Sequence, residues 1–261
     1  MHHYHCTESV GKIFLLYQKP DWKLDTLEQY DTINSKKENM LLVNDRDSEI
    51  IIISTYTNLQ YLCNESKDIF MDGTFKCCPN HFLQLYTIHG CKNGTYIPLV
   101  YALLPSKTEQ CYRSMWSLLL HRNTEKNLNL RPEVVHLDFE RAMHNAVSAF
   151  FPDTRIDCCR FHLGQCWWRK IQTLGLSRLY KDKSTAKGKW LSKFFGLSFL
   201  EPQEVEESFV EDIMSDAPEN DKCLQFADYV LEGYILATSS YPPVLWSSSP
   251  KTCREAHEQW T

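Results

Sequence analysis

Residues 68–105 read DIFMDGTFKCCPNHFLQLYTIHGCKNGTYIPLVYALLP. Three runs rich in β-branched, aromatic and aliphatic residues stand in this stretch: Asp68 to Asp72, Phe82 to Gly90 and Tyr96 to Pro105. Short runs of that composition, bounded by turn residues, predict strands. Lys92-Asn93-Gly94 joins the last two as a hairpin, because Asn and Gly tolerate the positive φ of a tight turn. The first run ends on an acid, Asp72, directly before Gly73.

Downstream the pattern changes. Gln110 to Lys126 sets Tyr112, Met115, Trp116, Leu119 and Leu120 on one face of an amphipathic helix. Glu133 to Phe139 reads as a fourth strand, Glu140 to Phe151 as a helix ended by Pro152, Arg155 to Phe161 as a fifth strand and Leu163 to Tyr180 as another helix. Upstream, Ile50 to Ser54 is a β-branched run, and Leu59, Leu62 and Cys63 within Thr55 to Glu65 fall at helical spacing.

From Asp68 onward the order is β-β-β-α-β-α-β-α, which predicts a mixed sheet, part antiparallel and part parallel, covered by helices. This succession resembles the RNase H-like fold, whose first and fourth strands lie side by side and parallel. The expectation is an α/β protein with a mixed five-stranded RNase H-like sheet flanked by helices and a helical insertion before the last helix. Changes of pattern place a polar segment at 1–47, the core at 48–180, the insertion at 181–240 and the last element of the core at 241–261. There is no internal repeat, low-complexity tract or Gly/Ser linker to set other boundaries.

Asp138 lies near the end of the fourth strand, in VVHLDFE. On adjacent parallel strands Asp72 and Asp138 would meet at one edge of the sheet, where open α/β sheets build their sites. Two convergent carboxylates repel unless a cation neutralises them. Mg²⁺ or Mn²⁺ is the natural partner: both take oxygen ligands, and a pair of such ions about 4 Å apart can activate a water or a 3′-hydroxyl against a phosphodiester. The plainer alternatives are a turn acid before Gly73 and a helix N-cap at Asp138.

The segments IFMDGTFKCCP (69–79) and LDFERAMHNAV (137–147), with the strand pair Leu83 to Pro105 between them, resemble the Mutator-like (MULE) transposase domain. Cys158-Cys159-Arg160-Phe161-His162 matches that family's Cys-x-x-His motif through Cys159 and His162. The resemblance spans about 48–180. It implies a DDE-type core that cleaves and transfers DNA strands with divalent metal, with Asp72 and Asp138 as the first two catalytic acids. The alternative is a domesticated descendant, a DNA-associated regulator or interaction module without catalysis.

The family places its third acid in a context resembling Thr-x-x-x-Cys-Glu-x-x-His. Here the chain reads Lys251-Thr252-Cys253-Arg254-Glu255-Ala256-His257, so Arg254 stands in the acid's place and Glu255 one position along. One residue on a helix is a rotation of about 100°. Glu255 is therefore the candidate third ligand, and with the sequence ending at Thr261 a short, poorly anchored helix and weak or absent activity are expected. Cys159 and His162 supply half of a zinc site, and Cys253 and His257 could complete a structural Zn²⁺ centre. Buried Cys and helix-capping His are the plainer reading.

The 261 residues carry a net charge of -5, which argues against a protein that grips nucleic acid over its whole surface. The charge is divided, however. Arg169 to Lys193 holds eight basic residues against Asp182, and Glu201 to Glu232 eleven acids against Lys222. Arg169, Lys170, Arg178, Lys181, Lys187 and Lys189 are the candidate DNA contacts, with two solvated helical faces as the alternative. Eleven scattered cysteines suggest reduced thiols rather than a disulfide framework. The start lacks the apolar core of a secretory leader, and Tyr96 to Pro105 is too short to span a bilayer. The expected partner is DNA, with no membrane. A homo-oligomer is compatible with this reading, and nuclear localisation follows from the substrate alone.

Overall fold

The computed structural model describes residues 38–75 and 78–248. Its strands are β1 (Leu41–Asp45), β2 (Ile50–Ile53), β3 (Asp68–Thr74), β4 (Gln84–Lys92), β5 (Thr95–Leu104), β6 (Val134–Leu137) and β7 (Arg155–Cys158). They form one sheet in the order β1-β2-β5-β4-β3-β6-β7. The mixed α/β architecture agrees with the sequence reading, but the sheet has seven strands, not five. The reason lies in Ile50–Ile53, four isoleucines that are all fully buried. A strand with both faces covered must also satisfy both backbone edges. It pairs antiparallel with β5 on one side and recruits Leu41–Asp45 on the other.

The ladders between β5, β4 and β3 are antiparallel, and β3 pairs parallel with β6. The β4–β5 turn is the expected two-residue loop: Lys92 faces Thr95, with Asn93 and Gly94 at φ 50° and 77°. Extended stretches between Asp68 and Leu104 therefore arise where the alternation of short apolar runs and turn residues predicts them.

The helices are α1 (Tyr56–Asn64), α2 (Glu109–Glu125), α3 (Arg141–Phe150), α4 (Arg160–Thr173), α5 (Ser177–Lys181), α6 (Ala186–Gly196), α7 (Val205–Ser208) and α8 (Asp221–Val230). Thr55, Thr108, Thr185 and Asn220 cap α1, α2, α6 and α8 by accepting from backbone N–H groups of the first turn. The single helix expected over 163–180 is two. Gly175, at φ 72°, ends α4: its N–H donates to Gln172 and that of Leu176 to Ile171. This is the six-to-one, five-to-two closure that a glycine just past a helix favours. The fifth strand also ends at Cys158, and the chain is helical from Arg160.

Two compact units divide the fold. Among the described residues, one comprises those up to His136 together with Glu140–Arg155; the other comprises Leu137–Phe139 and those from Ile156 to residue 248. Ile51, Ile53, Leu85, Tyr101 and Leu103 form a buried cluster in the first. Trp167, Trp190, Leu191, Phe194, Phe226 and Val230 lead a larger one in the second. Residues 181–240 carry helices and turns only. No described helix is long and apolar enough to cross a membrane. All eight described cysteines are free thiols.

Candidate functional site

In the first unit, β3 carries Asp72 within its last three residues. The strand is held there from one side by β4, where Asp72 faces Thr87 and the Thr87 hydroxyl donates to the Asp72 carbonyl at 3.2 Å. On the other side β6 runs parallel, with Asp68, Ile69 and Phe70 facing Val134, Val135 and His136. Asp72 stands two residues past Phe70, and Asp138 two residues past His136. Both aspartates are half-buried. His89, across from Phe70, is kept below the ordinary imidazole range chiefly by burial, and the Asp72 charge only partly opposes this.

Close neighbours leave no room for a side chain at Gly73, directly after Asp72. A Cβ there would lie 2.7 Å from Gln84 Oε1 and 3.2 Å from the Tyr86 ring. Gln84 is fully buried, and its amide donates to the Tyr112 hydroxyl at 2.7 Å. That hydroxyl in turn donates to Glu140 Oε1 at 2.7 Å, and Lys107 donates to Glu140 Oε2 at 3.2 Å. Glu140 precedes α3 but makes no side-chain cap to it. Its carboxylate is committed to Tyr112 and Lys107 instead. Sequence reasoning gives Tyr112 only as one apolar-face residue of a helix and does not single out Gln84, Lys107 or Glu140. Nothing in the spacing reveals the web, since its members are 28 and 33 positions apart in the chain.

In the second unit, Asp138 follows directly on β6 and is followed by Phe139, whose carbonyl accepts from the Tyr241 hydroxyl at 2.7 Å. The Phe139 ring packs against Tyr234 and Tyr241 at centroid distances of 5.7 and 5.1 Å. Trp246 Nε1 donates to the Tyr241 carbonyl at 2.8 Å. The Tyr241–Trp246 segment is thus what fixes the backbone beside Asp138. Burial holds the Cys158 thiol well above its usual range, and the Asp138 charge adds to this.

Cys159 is the N-cap position of α4 and His162 lies in its first turn, both half-buried. Their proposed zinc partners Cys253 and His257, and the candidate third acid Glu255, lie outside the described residues. Among the described residues no group of three or more His, Cys, Asp or Glu side chains is arranged to hold a metal ion. Asp72 and Asp138 offer carboxylate oxygens, the donor type that hard divalent cations take.

Of the candidate DNA contacts, Arg169, Arg178, Lys181 and Lys189 are exposed, and Lys170 and Lys187 half-buried. Several of the basic side chains lie over rings of their own unit: Lys170 over Tyr229 at 4.8 Å, Lys181 over Trp168 at 6.0 Å. Lys193, the last basic residue of the run, is paired with Asp216 of the acidic run at 2.6 Å.

No curated protein matches the chain. Residues 69–165, from β3 into the second turn of α4, match the family model of the MULE transposase domain. That stretch holds Asp72, Asp138, Cys159 and His162.

Proposed function

We propose that the MULE transposase domain matched by residues 69–165 is the catalytic part of a Mutator-like DNA transposase, acting in metal-dependent DNA strand cleavage and strand transfer. One observation carries this reading. Within the matched stretch, β3 and β6 pair in parallel with Phe70 facing His136, and an aspartate lies two residues past each: Asp72 inside β3 and Asp138 just beyond β6. Glu140 occupies the cap position of α3.

Asp72 and Asp138 would hold Mg²⁺ or Mn²⁺, with Glu255 the candidate third oxygen donor. When bound, such an ion offsets the repulsion between the carboxylates, lowers the pKa of a water or hydroxyl, and neutralises charge on the scissile phosphate. Shared ligation requires the two carboxylates within about 7 Å of one another. A wider separation sinks the mechanism. DNA is the substrate, and the nucleus is the compartment where it would be met. A structural zinc on Cys159, His162, Cys253 and His257 is a separable proposal, and metal analysis finding no stoichiometric zinc removes it.

The deciding experiment is nicking of supercoiled DNA in Mn²⁺ by the wild type, Asp72→Asn and Asp138→Asn. Loss of one charge-stabilising ligand group should slow nicking by on the order of 100-fold or more, with the fold intact by circular dichroism. Equal rates in wild type and Asp72→Asn reject the assignment. Arg254 standing in the acid's place favours a second reading, a domesticated DNA-associated module without catalysis. That reading predicts DNA binding by the wild type with no nicking above the Asp72→Asn background.

A further inference from the structure

The web behind Gly73 ends at the surface in an unusual pair. Phe75, three residues past Asp72, is a large apolar side chain left 50% exposed. Lys107 Nζ sits 4.3 Å from its ring centroid. The lysine is not there by chance of a flexible side chain. Glu140 holds it at 3.2 Å, Tyr112 holds Glu140 at 2.7 Å, and the fully buried Gln84 holds Tyr112 at 2.7 Å. The Lys107 side chain keeps 38% exposure against 18% for Glu140, so the ammonium faces water at the end of a buried chain of hydrogen bonds.

Stability does not account for this arrangement. A partly exposed ion pair contributes little, while each buried polar group in the chain behind it must be desolvated. Gln84 Oε1 even lacks a hydrogen-bond partner. What the chain does provide is position: a cation pinned over one face of a half-exposed aromatic ring. That is the combination with which proteins hold single-stranded nucleic acid, the ring stacking on a base and the cation meeting the adjacent phosphate. Paired bases bury their faces in the stack and have none to offer.

We infer that Phe75 and Lys107 form a shelf for one unpaired DNA nucleotide immediately beyond Asp72, with Phe75 stacking on the base and Lys107 contacting its phosphate. This rests on the proposed action on DNA strands and names the strand form that the site takes. Glu140, Tyr112 and Gln84 are positioning residues for Lys107. Because Glu140 offsets part of the lysine's charge, stacking supplies most of the affinity.

The test uses the full chain in EDTA, which separates binding from cleavage, and a short single-stranded oligonucleotide bearing one 2-aminopurine. Binding should quench the fluorophore. Phe75→Ala should abolish the quench and weaken binding on the order of 10-fold, and Phe75→Trp should restore both. Lys107→Ala should keep the quench while lowering the slope of log affinity against log salt by up to about one. An unchanged quench in Phe75→Ala overturns the shelf, as does equal, equally Phe75-dependent binding of the blunt duplex. The two readings fail separately. Nicking without a Phe75-dependent quench removes the shelf alone, whereas a Phe75-dependent quench with no wild-type nicking removes strand cleavage and leaves the shelf.

Discussion

Tyr112 shows how one atom can link packing to chemistry. Its ring is fully buried against Tyr86, as its place on the apolar face of α2 predicts, yet its hydroxyl accepts from Gln84 and donates to Glu140. Tyr112→Phe keeps the ring and takes one partner from each neighbour, leaving Gln84 Nε2 the Ser106 carbonyl at 3.4 Å and Glu140 its pair with Lys107. Losing the two hydrogen bonds should lower stability by about 1–3 kcal/mol, read as a lower urea midpoint at unchanged slope. A neutral Tyr112→Phe would mean that water replaces the hydroxyl and that Lys107 is not held through it. The thiols of Cys63 and Cys78 make a second residue-scale case. Burial pushes each up to about 11. A raised thiol pKa favours the neutral form, so at pH 8 only about one thousandth of either is thiolate, far less than for a free cysteine near 8.5. Iodoacetamide labelling followed by mass spectrometry should find both slow at pH 8 and accelerating as the pH climbs through 10; prompt labelling at pH 8 contradicts their burial. Asp72 and Asp138 can be singled out in the sequence because each closes an apolar run. Gln84, Lys107 and Glu140 cannot, because their role exists only once distant segments meet.

At the scale of elements, the strands of the antiparallel half are legible because their signal is local: short apolar runs and an Asn-Gly turn. Leu41–Asp45 is not, since what makes it a strand is the open edge of Ile50–Ile53 and not its own composition. The break between α4 and α5 is hidden for a different reason. The apolar periodicity continues through it, and only the positive φ of Gly175 marks the stop. Gly175→Ala should therefore cost roughly 1 kcal/mol through backbone strain. Gly188 is the more severe case. It lies in the first turn of α6, where a Cβ would fall 2.0 Å from the Asp182 carbonyl oxygen and 2.6 Å from that of Leu179. Backbone atoms cannot swing aside as a flexible side chain can, so Gly188→Ala must push α6 away from the end of α5. The expected destabilisation exceeds about 3 kcal/mol, at the top of the range for overpacking. A thermal melt of Gly188→Ala matching that of Gly175→Ala would show that the α5–α6 approach is looser than this.

For the whole molecule, the question is how a chain of net charge -5 would bind a polyanion at all. Its charge is segregated along the sequence, and in the second unit the two runs meet where Lys193 pairs with Asp216. That pair removes Lys193 from the supply of cations, and ring contacts occupy Lys170 and Lys181 without neutralising them. Arg169, Arg178, Lys181 and Lys189 remain exposed along α4, α5 and α6. If they track a phosphate backbone, each releases condensed counterions, and every phosphate so neutralised on duplex DNA adds about 0.9 to the slope of log affinity against log salt. Replacing all four by alanine should then flatten the slope by up to about 3.6 while weakening binding alike for all DNA sequences, since phosphate contacts carry no base readout. The change also makes the protein more acidic, so some affinity would disappear through long-range repulsion alone. A companion quadruple variant of exposed basic residues in the first unit, Arg46, Lys67, Lys126 and Arg131 to Ala, alters net charge equally and isolates that contribution. Equal slopes for the two variants assign the basic run to an ordinary solvated face, whereas a flatter slope for the α4–α6 variant alone makes it the DNA-tracking surface.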